Sequence, residues 1–528
     1  MTIGVPPHPA IQQVLSRSFG SQLCATLPDI PSEFRVRQTG RGKMVLQACA
    51  DAESPALDSV HCVSFTWDGV SSHAVGLKIV KAERNRQSRL LLTLVPEDDE
   101  QSQALWRILA AKPRAMRERN RAWPKLPGRT QHSEQGRQSR LSFIRSETGA
   151  TLEHVARTRL VAETLNRNIE SFIGSVEVPV GLAGPLLFHG QHVQGHVFAP
   201  MATTEGSLVA STIRGAAAMT AAGGVETRVL GRHLSRVPLL QMNRLQDAVF
   251  LADWVKFHFD EVRAQTLPIS RFADLKSIEP HILGREVHLH FMYETGDSAG
   301  QNMVTGCTWQ ACHWIIEQMK ERFGIPVVRY MIEANLSSDK KVTYNAWIQG
   351  RGTRAVAECR LSRDVTQRFL HVTPEQLVRG FHALSRGAVA SGMIGNNVNS
   401  ANMVAAIFTA TGQDIGSVHE SSMAQLSVEL EDGGEMVYAT LHMPSLLVGT
   451  VGGGTSLPGQ KECLQLMNAA GVGGSERLAE IICGYALALD LSTLAALSSD
   501  EFASAHHPLV EPLKVARVRA SEDKLPTA

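Results

Sequence analysis

An α+β fold is what this 528-residue sequence predicts, and three observations carry that reading. Short β-like runs fill the stretch from Glu33 to about Pro96, each bounded by polar or Gly-containing turns. Segments of helical period rich in small residues dominate residues 146–237 and 332–528, the two parts of one large mixed helical domain. Between them, residues 238–331 alternate strand-like and helical pieces, which suggests an inserted α+β module of about 90 residues.

The elements follow in order. Residues 1 to about 30 are punctuated by proline and peripheral. The runs HCVSFTW, HAVGLKIV and RLLLTLV then define a small β-rich N-terminal domain, taken as residues 1–110. Arg37, Arg41, Ser71 and Ala74-Val75-Gly76-Leu77 in it faintly resemble PilZ domains, which bind cyclic di-GMP. Gly69 stands where that motif has an acid and Ala74 where it has a glycine, so a structural role is expected. Residues 111–145 carry ten Lys and Arg against Glu118 and Glu134, broken by Pro113, Pro124, Pro127 and Gly128. That composition predicts a solvated basic linker.

Beyond Arg145, TGATLEHVARTRLVAETLNRNIESF has helical periodicity, and VEVPVGLAGPL ends it with Pro179, Gly181, Gly184 and Pro185. The next stretch, PMATTEGSLVASTIRGAAAMTAAGG, joins Glu205 to a run of Ala, Ser and Thr. Small side chains there predict a buried helix with close backbone packing. Glu205 reads either as a capping carboxylate at that helix's N-terminus or as a functional acid. The alternating REVHLHFMY reads as a strand of the inserted module, and a helix from Gly300 to Phe323 closes it.

Composition excludes several classes. A net charge of +1 gives no global attraction to nucleic acid or anionic membrane. The eight cysteines show no CxxC pair or zinc spacing, so reduced thiols and no metal are expected. MTIGVPPHPAIQQ lacks a charged start before an apolar core, and the apolar run Ile481 to Leu497 is interrupted by Asp490. A cytoplasmic protein without a membrane helix is the expectation.

Five polar clusters sit in Gly-rich or capped settings: Glu205, Asp297 to Asn302, Asp339-Lys340-Lys341, Gly412-Gln413-Asp414, and Ser504 to His507. Val451 to Thr455 adds a glycine loop of the kind that approaches phosphates. Singly each has a bland reading: a surface lysine for Lys340, a helix-end acid for Asp414, a solvent-facing histidine for His506. GDSAGQNM is not the G-x-G-x-x-G of a Rossmann turn.

Taken in order, IESFIG, PVGLAGPL, PMATTEG, GDSAGQNM, SDKK, GQD and GTVGGGT resemble 3-hydroxy-3-methylglutaryl-CoA (HMG-CoA) reductase over about Leu141 to His507. The resemblance implies a soluble, class I-like core with an inserted ferredoxin-like NADP-binding domain. It also implies reduction of HMG-CoA to mevalonate and CoA by two hydride transfers from NADPH. Lys340 would polarise the carbonyl, Glu205 donate a proton, Asp414 orient Lys340, and His506 protonate the CoA thiolate, with His507 as the alternative. Desolvation among small apolar residues would raise the Glu205 pKa. The same resemblance assigns Ser270, Arg271, Asp297, Gly300, Gln301, Asn302, Gly452, Gly453 and Thr455 to the cofactor, and Arg236, Asn335, Lys341 and Asn402 to the substrate. It implies a dimer or higher oligomer, with Lys340 and Asp414 from one subunit and Glu205 from its neighbour.

Two departures stand out. SAHHPL replaces the family's Ser-His-Met, and Glu333 replaces a substrate-binding serine, a negative charge that would repel the HMG carboxylate if it faced the pocket. They keep two rivals in view: reduction of a different acyl thioester, and a non-catalytic protein that responds to a nucleotide.

Overall fold

The computed structural model describes residues 125–499, and residues 23–105 apart from 28–29, 41–42, 50–51, 68–69, 72–73, 86–87, 99 and 103. The chain divides into two compact units at Leu126 and Pro127.

The first unit is built from β1 (Leu23–Leu27), β2 (Ile30–Gly40), β3 (Lys43–Ala48), β4 (Val60–Trp67), β5 (Val70–Ser71), β6 (Val75–Arg84) and β7 (Leu90–Pro96). The strands run in the order β1-β2-β3-β7-β6-β4, and β1 also pairs with β4, so six antiparallel strands close on themselves with β5 hung on the β4 edge. Closure removes exposed sheet edges. The period-2 pattern drives it: Val75, Leu77 and Ile79 on β6 and Leu90, Leu92 and Leu94 on β7 turn inward onto Phe34, Val36, Leu46 and Phe65. The expected β-rich domain is therefore a small barrel. The PilZ-like positions Arg41 and Gly69, and the side chains of Arg37 and Ser71, lie outside the described residues.

Within the second unit, part of the expected basic linker is structural. Helix α1 (Glu134–Thr148) starts at Ser133, whose side chain accepts from Gly136 N–H. Arg137 and Arg140 on it are buried rather than solvated. Arg137 Nη1 donates to the carbonyls of Ala156 and Ile173, and Arg140 Nε to that of Phe172. These guanidinium groups satisfy loop carbonyls that no sheet or helix reaches. Residues 111–124 lie outside the described residues. The long helix expected after Gly149 shrinks to a four-residue turn, Glu153–Ala156, and a 3₁₀ turn, Ala162–Leu165. Only Ala162, Leu165 and Phe172 there are buried, too small an apolar face to support three turns of helix.

Ten strands form the main sheet: β8 (Val180–Gly190), β9 (Gln194–Ala202), β10 (Val225–Arg236), β11 (Leu239–Gln241), β12 (Asp274–Leu283), β13 (Glu286–Glu294), β14 (Arg329–Met331), β15 (Gly352–Ser362), β16 (Gln425–Glu431) and β17 (Met436–Leu446). Strand β10 is shared. Its first part pairs with β15 and β8, and its last three residues, Leu234 to Arg236, pair with β13. Two apolar cores lie on either side of that crossing.

The core beyond β10 packs β11 to β14 against α3 (Leu245–Phe257), α4 (Phe259–Thr266) and α5 (Gln301–Phe323), once α2 (Leu208–Ala221) has been passed. Val287, Leu289, Phe291 and Tyr293 of β13 face these helices, while His288 and His290 turn the other way, the alternation expected of REVHLHFMY. The larger core is centred on α8 (Gly474–Ser498), reached after α6 (Pro374–Ser391) and α7 (Ser400–Thr411). Among the described helices α8 alone is long and apolar enough to cross a membrane, and 89% of its apolar window is buried inside the protein. Helix α2 crosses it closely: a Cβ on Gly215 would stand 1.9 Å from the Ala488 carbonyl oxygen. That contact is what the small-residue run predicts.

Candidate active site

Lys340 lies in the loop between β14 and residue 344, with a left-handed backbone (φ 57°). Asp414 follows α7, which ends at Gly412 in the same conformation (φ 71°). The two meet with Lys340 Nζ 2.8 Å from Asp414 Oδ2. Gln301 Nε2 donates to that oxygen at 3.1 Å and to Ser417 Oγ at 3.1 Å, while Gly416 N–H donates to Oδ1 at 3.0 Å. Partial burial pushes the Asp414 carboxyl up, but Lys340 and these donors outweigh it and hold it below its ordinary value.

The pair faces a cavity of about 640 Å³. Gly300, Gln301 and Asn302 at the start of α5 form one wall, and Gly449 with Val451 to Thr455 the other. The walls are backbone set against backbone. A Cβ on Gly412 would lie 2.3 Å from the Gly454 carbonyl oxygen, and one on Gly449 would lie 2.5 Å from Ala299 N. Gln413 stitches the glycine loop in place, its amide donating to Gly449 O and accepting from Gly449 N–H, each at 2.9 Å. The result is a trough walled by backbone at the N-terminus of a 23-residue helix, where negative charge is favoured.

Asp297 is not in the lining. Its carboxylate caps α8, accepting from Gly473 N–H at 2.9 Å and Ser475 Oγ at 2.8 Å, and its carbonyl takes Thr450 N–H at 2.8 Å. Burial pushes its carboxyl up, but those bonds and Arg232 outweigh the effect and hold it low. Ser270 reaches the cavity through Met303, its Oγ 2.8 Å from the Met303 sulfur. Arg271 is exposed, with its guanidinium 5.2 Å from the Phe272 ring centre.

Glu205 stands apart from Lys340. Its carboxylate accepts from Asn402 Nδ2 at 3.0 and 3.2 Å, and its N–H bonds Thr203 Oγ1. It does not cap α2, whose N-cap is Ser207 in a left-handed conformation without a side-chain bond. Nor does the small-residue helix desolvate it, because the side chain is exposed on its own chain. The small residues face α8 instead. Asn402 lies in the first turn of α7 and Asp414 beyond its last, so at 1.5 Å per residue the two sites are roughly 15 Å apart.

Arg236 is buried and donates to Glu333 Oε2 at 3.1 Å and Asp339 Oδ2 at 3.2 Å. Glu333 is therefore an ion-pair partner of Arg236, which it shares with Asp339. Its other oxygen accepts from Asn335 N–H, and Lys341 Nζ donates to Asp339 O at 2.8 Å. His506 and His507 lie outside the described residues. Asp490 completes the scaffold from beneath, its buried carboxylate accepting from Val398 and Asn399 N–H at 3.1 and 2.6 Å just before α7.

The profile of the hydroxymethylglutaryl-coenzyme A reductase family matches residues 136–510. The chain belongs to that family. It is 38% identical over 380 residues to the 3-hydroxy-3-methylglutaryl-coenzyme A reductase of Pyrococcus abyssi, covering 70% of this chain and 91% of the relative. The reductase of Aeropyrum pernix is 40% identical over 375 residues, covering 70% and 87%. Reductase 2 of Dictyostelium discoideum is 37% identical over 378 residues, covering 70% and 69%. Among solved structures, the class II reductase of Streptococcus pneumoniae bound to NADPH aligns with TM-score 0.52 and 17% identity, over 68% of this chain and 96% of that one. At that identity the likeness speaks for a shared mixed α+β fold alone. The first 135 residues of this reductase-family chain, the barrel included, fall outside the match.

Proposed function

We propose that this protein reduces HMG-CoA to mevalonate and CoA with NADPH, and that its working site is completed by a second copy of the chain. The observation that carries the reading is the Lys340–Asp414 pair, 2.8 Å apart, at the mouth of a glycine-walled cavity on a helix N-terminus. NADPH fits that cavity on a structural test: the Gly412–Gly454 and Gly449–Ala299 approaches fix the walls, and the space beside Gly452 and Gly453 where a Cβ would stand is open. Gly300, Gln301, Asn302, Gly452, Gly453 and Thr455 would hold it, Ser270 and the exposed Arg271 would meet the 2′-phosphate, and Asp297 would shape the wall. When bound, it supplies the hydride for each of the two reductions.

The chain's own groups do the rest. The Lys340 ammonium, aimed by Asp414, polarises the thioester carbonyl and then stabilises the alkoxide that forms after the first reduction. Loss of the CoA thiolate from the resulting hemithioacetal leaves an aldehyde, and the imidazolium of His506 or His507 would protonate that thiolate. Glu205, held by Asn402, gives its proton to the oxygen in the second reduction. Arg236, Asn335 and Lys341 bind the acyl end.

Asn402, which holds Glu205, and Asp414, which holds Lys340, stand at opposite ends of α7, roughly 15 Å apart at the helical rise, and this supports a site that draws the two from different copies. Exposed apolar residues accompany each half. Val180 and Leu182 lie on β8, whose register sets Leu182 against Pro200 just before Glu205, and Tyr344 and Ile348 follow Lys340. Such faces suit burial between copies. The sheet order β14-β11-β13-β12 with helices between β11 and β12 and between β13 and β14 supports a ferredoxin-like cofactor domain at residues 238–331, inserted between 146–237 and 332–528. The ion pair of Glu333 with Arg236 supports HMG-CoA over a different acyl group.

An NADPH-oxidation assay with HMG-CoA is the test. The expected result is consumption of two NADPH per mevalonate, the stoichiometry of a thioester taken to an alcohol. Oxidation absent with HMG-CoA, or equal across unrelated thioesters, would overturn the reading.

A further inference from the structure

The loop that carries Lys340 holds three residues with side chains in left-handed conformation, Asn335, Ser338 and Lys340 (φ 68°, 63° and 57°). Left-handed backbone is unfavourable for such residues, so the surroundings must impose it. Beneath the loop lie two charged residues that no sequence pattern singles out, Arg351 and Glu420, 1% and 0% exposed. Arg351 Nη1 donates to both Glu420 oxygens at 2.8 Å. Arg351 Nη2 lies 3.0 Å from Asp339 Oδ1, close enough for charge attraction though not aligned for a hydrogen bond. The Lys340 backbone N–H lies close enough to the Glu420 carboxylate to favour its charge, without the alignment of a full hydrogen bond.

The pair thus holds the loop by charge attraction at Asp339 and by a polar approach to the Lys340 backbone. Its two members also come from different places: Arg351 precedes β15, and Glu420 stands in the turn Val418–Ser421 that follows Asp414. Whatever fixes Glu420 fixes the segment bearing Asp414, and whatever fixes Asp339 fixes the segment bearing Lys340.

We propose that Arg351 and Glu420 are positioning residues for the reductase reaction, locking the Lys340 loop to the Asp414 turn so that the ammonium points at the reacting carbonyl. This rests on the proposed function, and the experiment separates the two. Removing one partner strands a buried charge and endangers folding, whereas replacing both with apolar groups of similar volume is tolerated. The double variant Arg351→Met/Glu420→Met is therefore the instrument.

Hydrogen exchange of the 335–341 segment, read by mass spectrometry without substrate, should speed up about tenfold in the double variant while α8 keeps its protection. In the NADPH-coupled assay kcat should fall about a hundredfold, with KM for NADPH within about twofold of the parent. The pH profile of kcat should also move, because the Lys340–Asp414 pair is loosened. Unchanged exchange, or kcat within about twofold of the parent, overturns the positioning role. Parent protein inactive on HMG-CoA would instead sink the reductase reading, and the exchange result would still decide whether the pair locks the loop.

Discussion

At the scale of single residues, the account turns on charges whose partners fix what they can do. Lys340 is tied to Asp414 at 2.8 Å, and Lys340→Met should lower kcat by about two to three orders of magnitude while leaving NADPH affinity and the melting point near those of the parent. Asp490 gives a pH-dependent expectation. Complete burial pushes its carboxyl from 3.8 up to about 6, against the bonds from Asn399 and Val398 N–H that favour ionisation. Between those two pH values the folded protein keeps a proton that the unfolded chain has released. Stability from this group is therefore full below pH 3.8 and is lost as pH rises through about 6. At neutral pH the loss is about 3 kcal/mol. Asp490→Asn removes it, so the variant's denaturation midpoint relative to the parent's should climb between about pH 4 and pH 7. An offset that stays constant over that range would refute the assignment. Asp490 was legible only as an interruption of an apolar run. Arg351 and Glu420 left no trace in the sequence, because a buried charge is recognised by a partner far away in the chain.

At the scale of elements, glycine geometry shapes the trough proposed for the cofactor. Gly412 combines a left-handed backbone with a Cβ position 2.3 Å from the Gly454 carbonyl oxygen. Gly412→Ala forces the two loops apart, and KM for NADPH should rise at least about tenfold with less effect on HMG-CoA binding, measured by steady-state kinetics. The period-2 strands of the barrel, β13, α5 and the small-residue helix α2 could all be read beforehand, because one buried face imposes one periodicity. The stretch after Gly149 could not. Its helical spacing had only the small Ala162–Phe172 cluster to bury, and chain-distant guanidinium donors took over its carbonyls. The same cause converts the expected solvated linker into a packed helix from Glu134 onward.

At the scale of the whole molecule, ordered motifs reveal the reductase core while leaving its assembly implicit. Glu205 looked like a buried acid next to a small-residue helix, yet on one chain it is exposed and held by Asn402 at the end of α7 opposite Asp414. The proposed role of that carboxylate therefore calls for a second copy of the chain. Glu205→Gln and Lys340→Met should each fold, bind NADPH and make almost no mevalonate. The central claim is tested most directly by unfolding, mixing and refolding these two inactive variants together in equal amounts. Random pairing makes half the dimers mixed, each with one intact site of two, so about a quarter of parental activity should return. Mixed dimers that form but stay as inactive as either variant alone would show that Glu205 and Lys340 serve one site within a single chain, contrary to the account.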